Sequence, residues 1–137
     1  MRYFQNKLKD FLPGHQTAQI PTAALQERVK TNTSLICQNL APDQRNCDGG
    51  LYVGIAGISY ALWHASNSGH FEGDKHELLL RAKQYLDVAD VYEQQQQHKM
   101  MRQSFLLGTA GVCCIGALVN GSLGDAAKSE NYVKRYN

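Results

Sequence analysis

The chain is short of proline, charge and cysteine, and each shortage limits what it can be. Its three prolines, Pro13, Pro21 and Pro42, mark the turns of an N-terminal arm and the end of the helix that follows it. Lysine and arginine number 14 against 12 aspartates and glutamates, a net charge of +2 over 137 residues. A dedicated nucleic-acid binder concentrates far more basic charge, so no nucleic-acid partner is expected. Charged residues make up only 19% of the chain and hydrophobic ones 43%, which excludes a charged disordered tail. The four cysteines, Cys37, Cys47, Cys113 and Cys114, contain no C-x-x-C, and adjacent cysteines rarely pair without strain. The first ten residues have no apolar leader segment. Together these features predict a reduced, intracellular, soluble protein. The sequons at Asn32 and Asn120 are then chance occurrences.

Two stretches lack charge altogether, residues 49–71 and 103–124. The second holds a fifteen-residue run, 105–119, interrupted only by Thr109. A membrane-spanning helix needs about 20 apolar residues. Both runs are shorter and rich in glycine, so they predict buried core helices.

Between and around them the periodicity predicts further helices. Residues 1–21 read as an arm, and residues 22–41 as a leading helix capped by Thr22, with Leu25, Val29, Ile36 and Leu40 on one face. Residues 46–50, N-C-D-G-G, form a loop by their chemistry. The run from Leu51 becomes helical at or just after Gly54 and Gly57, and stops at Asn67. An amphipathic helix follows over 74–97, with Asp74 near its N-cap. Its apolar face is Leu78, Leu79, Ala82, Tyr85, Leu86, Ala89 and Tyr92, spaced by threes and fours. Its end, 94–97, reads as a solvated polar tail.

The apolar runs are copies of one another. L-Y-V-G-I-A-G-I over 51–58 aligns with F-L-L-G-T-A-G-V over 105–112, placing Gly54 on Gly108 and Gly57 on Gly111, 54 residues apart. That spacing fits one helical hairpin with its return loop. Gly73-Asp74 likewise aligns with Gly124-Asp125, and A-K-Q-Y at 82–85 with V-K-R-Y at 133–136. The glycines either let a neighbouring backbone approach closely or permit positive φ at a helix entrance. The first hairpin then occupies 51–97 and the second 105–137, its outer helix cut short at Asn137. Repeats of this kind bury each unit against its neighbours.

C-D-G-G-L-Y-V-G-I-A-G-I-S-Y-A-L-W-H over 47–64 and S-F-L-L-G-T-A-G-V over 104–112 resemble the first two G-x-x-G repeats of the eukaryotic lanthionine synthetase C-like (LanC-like) proteins. R-Y-F-Q-N at 2–6 resembles that family's R-x-F-x-N opening, and G-G-L-Y with F-L-L-G is most similar to its third animal paralogue. The resemblance implies an all-α fold, an α/α toroid of seven hairpins, of which this chain is an N-terminal fragment supplying about the first two. It implies zinc-dependent addition of a thiol, that of glutathione, to dehydroamino acids in dehydrated peptides. It also implies a cytoplasmic location with peripheral association at the plasma membrane. Two cysteines and a histidine hold the family's zinc, one pair in a C-H-G motif. No cysteine here is followed by histidine, so the zinc ligands are expected to be absent and the fragment itself inactive. Arg2, on an arm that approaches the family's active-site face, is the candidate for pairing with a glutathione carboxylate. The alternative reading is a non-catalytic glutathione-binding or membrane-associated scaffold.

Other polar candidates have plainer explanations. Cys113 and Cys114 sit in an apolar run and read as small core residues. His64, His70, His76 and His98 lack the H-x-x-x-H spacing of a helix-borne metal pair. Asp43 and Asp48, conceivable as a glycosidic carboxylate pair, are explained by loop polarity and capping.

Overall fold

A computed structural model of the chain describes residues 14, 21–46, 50–52, 54–95 and 104–136. Among them are five α-helices and no strand. The helices are α1 (Thr22–Asn39), α2 (Ile55–Ser66), α3 (Lys75–Gln95), α4 (Thr109–Ser122) and α5 (Ala126–Tyr136). Short 3-10 turns occupy Gln44–Asn46 and Glu72–Asp74.

The apolar helices α2 and α4 form the inner layer, and each pairs with the amphipathic helix that follows it. The core is continuous across both pairs. It joins Ile55, Ala56 and Leu62 of α2, Ala82, Leu86 and Ala89 of α3, and Val112, Ile115 and Val119 of α4. Leu78, Leu79 and Tyr85 are buried with the rest of the α3 face, while Tyr92 is half-buried. Buried polar groups in this core are satisfied locally. The Ser59 hydroxyl donates to the Ala82 carbonyl at 2.7 Å, and the Asn120 amide donates to the Gly116 carbonyl at 2.7 Å. Asn120 is 1% exposed, so the second sequon is closed to modification in the folded chain.

The leading helix departs from its expected role. Its N-cap is Pro21, with Thr22 already inside the helix. None of its residues is buried; Leu25 and Val29 are 47% and 48% exposed, and Leu40 is also exposed. Gln26, Thr33, Ile36 and Cys37 reach half-burial, and Cys37 packs against the core. The apolar spacing is present, but the polar stretch 31–34 interrupts it; the first half of α1 is held by polar contacts, Gln26 on His70 and Lys30 over the Phe71 ring, and α1 reaches the core only at its C-terminal end. There the Tyr85 hydroxyl donates to the Leu40 carbonyl.

The outer helices differ from the expected alignment in two ways. Gly73-Asp74 lies in a 3-10 turn, so α3 begins at Lys75. Gly124 instead has φ +83°, a left-handed conformation that favours glycine, and Asp125 caps α5 by accepting the Lys128 amide at 3.0 Å. Secondly, Tyr136 is exposed, and the buried tyrosine of α5 is Tyr132. Tyr132 corresponds to Tyr85 in what it does: each phenol reaches the element before its own hairpin, Tyr85 to Leu40 and Tyr132 to Asp90 of α3. The shift is allowed because the short, tight Gly124 turn sets α5 down at a different phase from α3.

Candidate functional site

The feature that the sequence doubles is the entrance to each inner helix. Gly54 and Gly108 are the N-caps of α2 and α4, both extended, and neither helix start receives a side-chain cap. Within each entrance the second glycine folds back on the first, with Gly57 N–H on the Gly54 carbonyl at 3.0 Å and Gly111 N–H on the Gly108 carbonyl at 3.2 Å. Neither φ is positive at these four positions. The need for glycine is one of space. A Cβ on Gly57 would stand 2.4 Å from the Leu51 carbonyl oxygen, and one on Gly111 would stand 2.0 Å from that of Phe105.

The two entrances also touch each other. Tyr52 N–H donates to the Leu106 carbonyl at 2.8 Å. A Cβ on Gly50 would meet the 106–108 backbone at 2.6–2.7 Å, and the Leu51 side chain lies over Gly111. Gly50 therefore joins Gly57 and Gly111 as a third glycine required by close backbone approach.

Glu93 completes this layer. It lies near the C-terminal end of α3, is 9% exposed, and accepts the Thr109 hydroxyl at 3.2 Å and the Gly50 backbone N–H. One carboxylate thus ties the first outer helix to both entrances. Burial pushes its pKa above that of an ordinary glutamate, and the hydrogen bonds from Thr109 and Gly50 offset only part of that. A raised pKa in the folded state means the unfolded chain ionises first. Stability from this group therefore falls as pH rises from about 4.3, the value for a solvated glutamate, through the folded-state value. Glu93→Gln keeps an acceptor and cannot ionise. Its stability relative to the native chain is expected to improve as pH rises across that interval, as measured by urea unfolding at a series of pH values. A constant difference would contradict the assignment. In α3, residues 82, 86, 89 and 93 continue the buried helical spacing, which carries the face past its apolar residues to Glu93.

A second polar cluster joins the outer helices. Asp90 of α3 accepts from Arg135 at 2.7 and 3.0 Å in a bidentate pair, and from the Tyr132 hydroxyl at 3.0 Å. Burial alone would raise Asp90, but Arg135, with Gln94 and Tyr132, outweighs it and holds the carboxyl below the ordinary range. Burial and the neighbouring Asp90 carboxylate push the Tyr132 phenol far up.

The remaining candidates do not converge. Arg2, Cys47, Asp48 and His98 lie outside the described residues. Asp43 accepts the Arg45 and Asn46 amides and pairs with the Arg45 side chain, an exposed turn. His64 is exposed, edge-on to the Tyr60 and Trp63 rings, and His70 bonds Gln26. Cys113 is buried, and burial raises its pKa, which disfavours the nucleophilic thiolate. Among the described residues no three of His, Cys, Asp or Glu come together in a way that could hold a metal. No described helix is long and apolar enough to cross a membrane.

The entrances are an architectural device, repeated with the same glycines, the same backward hydrogen bond and the same carbonyl overhead. Compared with known protein families, residues 46–137 match the family described as lanthionine synthetase C-like protein. This span contains both hairpins and both entrances and leaves α1 outside. The chain belongs to the lanthionine synthetase C-like family.

Proposed function

We propose that the chain serves the addition of the glutathione thiol to dehydroamino acids in peptides, as the scaffold of the two opening hairpins of an α/α toroid. The observation that carries this reading is the doubled glycine entrance within the family match at 46–137. In this reaction the sulfur bonds to the β-carbon of dehydroalanine or dehydrobutyrine, the carbon–carbon double bond is lost, and the thiol proton ends on the α-carbon. Zinc, where bound, makes the thiol available as thiolate. The described residues do not fit such a site: Cys113 is enclosed by apolar neighbours and no triad of ligands assembles. Their part is positional, holding two inner helices in register.

Within this reading Arg2 pairs with a carboxylate of glutathione, and the likeness of G-G-L-Y and F-L-L-G supports kinship with the third animal paralogue. A second reading, a non-catalytic glutathione-binding or membrane-associated scaffold, draws on the same lack of a ligand set among the described residues.

A chimera separates the two. Residues 46–137 would replace the equivalent segment of a catalytically active family member, and adduct formation with a dehydrobutyrine peptide would be followed by mass spectrometry. The first reading expects adduct from the chimera, and neither adduct nor stoichiometric zinc from the 137-residue chain alone. A folded, zinc-loaded chimera that makes no adduct would favour the scaffold. Adduct from the chain alone would overturn the purely positional role.

A further inference from the structure

We propose that Thr31 is a phosphorylation site for a protein kinase that reads an arginine three residues ahead of its target, and that the phosphate loosens α1 from the first hairpin. The sequence around it is E-R-V-K-T-N-T-S over 27–34. Arg28 precedes Thr31 by three residues and Lys30 stands directly before it. Nowhere else in the chain does arginine stand three places ahead of a serine or threonine. A guanidinium makes paired, charge-assisted hydrogen bonds to carboxylates, so a kinase with an acidic substrate groove selects this spacing.

The structure makes this threonine reachable. Thr31 is exposed, and so are Arg28 and Lys30. A kinase takes its substrate extended, so α1 must unwind locally to be modified. Little opposes that, because no residue of α1 is buried. The run T-N-T-S at 31–34 is also a poor helix former, since short polar side chains compete for the backbone hydrogen bonds. The competing hydroxyls are less available. Thr33, with Lys30 three places ahead, is half-buried and borders the grooves on both sides of α1. Ser104, two places after Arg102, is half-buried and accepts the Leu107 amide at 3.1 Å.

In the transfer the Thr31 Oγ1 bonds to the γ-phosphorus of ATP, the bond from that phosphorus to the ADP oxygen breaks, and the hydroxyl proton passes to a carboxylate of the kinase. The product carries a charge of about −1.5 to −2 at neutral pH. In α1 it stands one turn after Glu27, where like charges repel, and Arg28 offsets part of that repulsion. It also offers the neighbouring Lys30 a full negative charge in place of the Phe71 ring face that Lys30 now covers. Both effects act against the docked helix. Cys37, further along α1, packs against the core, so its thiol reports the release.

The test incubates the 137-residue chain with magnesium, ATP and a calmodulin-activated kinase of R-x-x-S/T specificity, and maps the phosphate by mass spectrometry. Thr31 is expected to be modified, and Arg28→Gln should lower kcat/KM about tenfold, the loss of one charge-assisted contact. Arg28→Gln and the blocking variant Thr31→Ala both place good helix formers at exposed positions, so folding is not at stake. Phosphate on Thr33 or Ser104 in place of Thr31, no phosphate at all, or equal rates for the native chain and Arg28→Gln would each overturn the site. Alkylation of Cys37 by iodoacetamide should become severalfold faster on phosphorylation, while buried Cys113 stays unreactive. An unchanged rate at Cys37 would overturn the release of α1.

Discussion

Gly111→Ala is expected to destabilise the chain by about 3 kcal/mol, the upper range for overpacking a close-packed site. Helix propensity predicts the opposite sign, because Ala is favoured over Gly by about 1 kcal/mol in a helix interior. Geometry decides the outcome. The new Cβ would stand 2.0 Å from the Phe105 carbonyl oxygen and 3.2 Å from the Leu51 Cβ. The first of these is backbone, so relief requires moving the segment whose next carbonyl, that of Leu106, accepts the Tyr52 amide. The clash therefore loosens the joint between the hairpins as well as α4. Gly121→Ala is the control. Its Cβ would come no nearer than 3.4 Å to the Ser129 hydroxyl, an ordinary contact. That variant should be neutral or slightly stabilising, and equal losses at both sites in urea unfolding would contradict the spatial account.

Asp90→Ala is expected to cost about 3 kcal/mol, near the lower end for removing one partner of a buried pair. The carboxylate is mostly buried, with its side chain 14% exposed, while Arg135 is 30% exposed. Its removal strands both the guanidinium and the Tyr132 hydroxyl at the seam between α3 and α5. Tyr132→Phe removes one donor from the same charged carboxylate and should cost about 2 kcal/mol. The pH dependence distinguishes charge from packing. Asp90 is held below its ordinary value in the folded chain, so its contribution is complete above about pH 3.9 and is lost as pH falls through the folded-state value. The native chain should lose stability along that acid limb, and Asp90→Ala should lose less. An unchanged acid limb in the variant would assign the role of Asp90 to packing alone.

The two clusters show where single-sequence reading succeeds and where it stops. The repeat was legible because the glycines recur in an apolar setting, and an all-α fold followed from apolar runs too long for strands. The α3 face was legible because burial follows helical spacing. Spacing does not encode which exposed-looking residues meet across the chain. Asp90 and Arg135 are 45 positions apart, and nothing in either neighbourhood marks them as partners. The alignment of Tyr85 with Tyr136 followed chain order, but the tight Gly124 turn changed the phase of α5 and brought Tyr132 inward. Leu25 and Val29 have helical spacing without burial, because periodicity shows a face and does not show what covers it. At the entrances the sequence identified Gly54, Gly57, Gly108 and Gly111 but left open why glycine was needed. The carbonyls of Leu51 and Phe105 answer that question for Gly57 and Gly111, and the 106–108 backbone makes Gly50 a further member.

The central claim is that the two glycine entrances are locked together, making two copies of a hairpin into one cooperative unit. The Tyr52 amide tests it most directly. Tyr52 is 76% exposed and lies in a turn ahead of α2, and its N–H bonds to the Leu106 carbonyl of the other hairpin. Native-state hydrogen exchange is expected to find this amide protected to nearly the same degree as the amides of Ile115 and Val119 in the core of α4. Exchange of Tyr52 at the rate of an unprotected turn, while α4 remains protected, would show that the hairpins are not joined at their entrances.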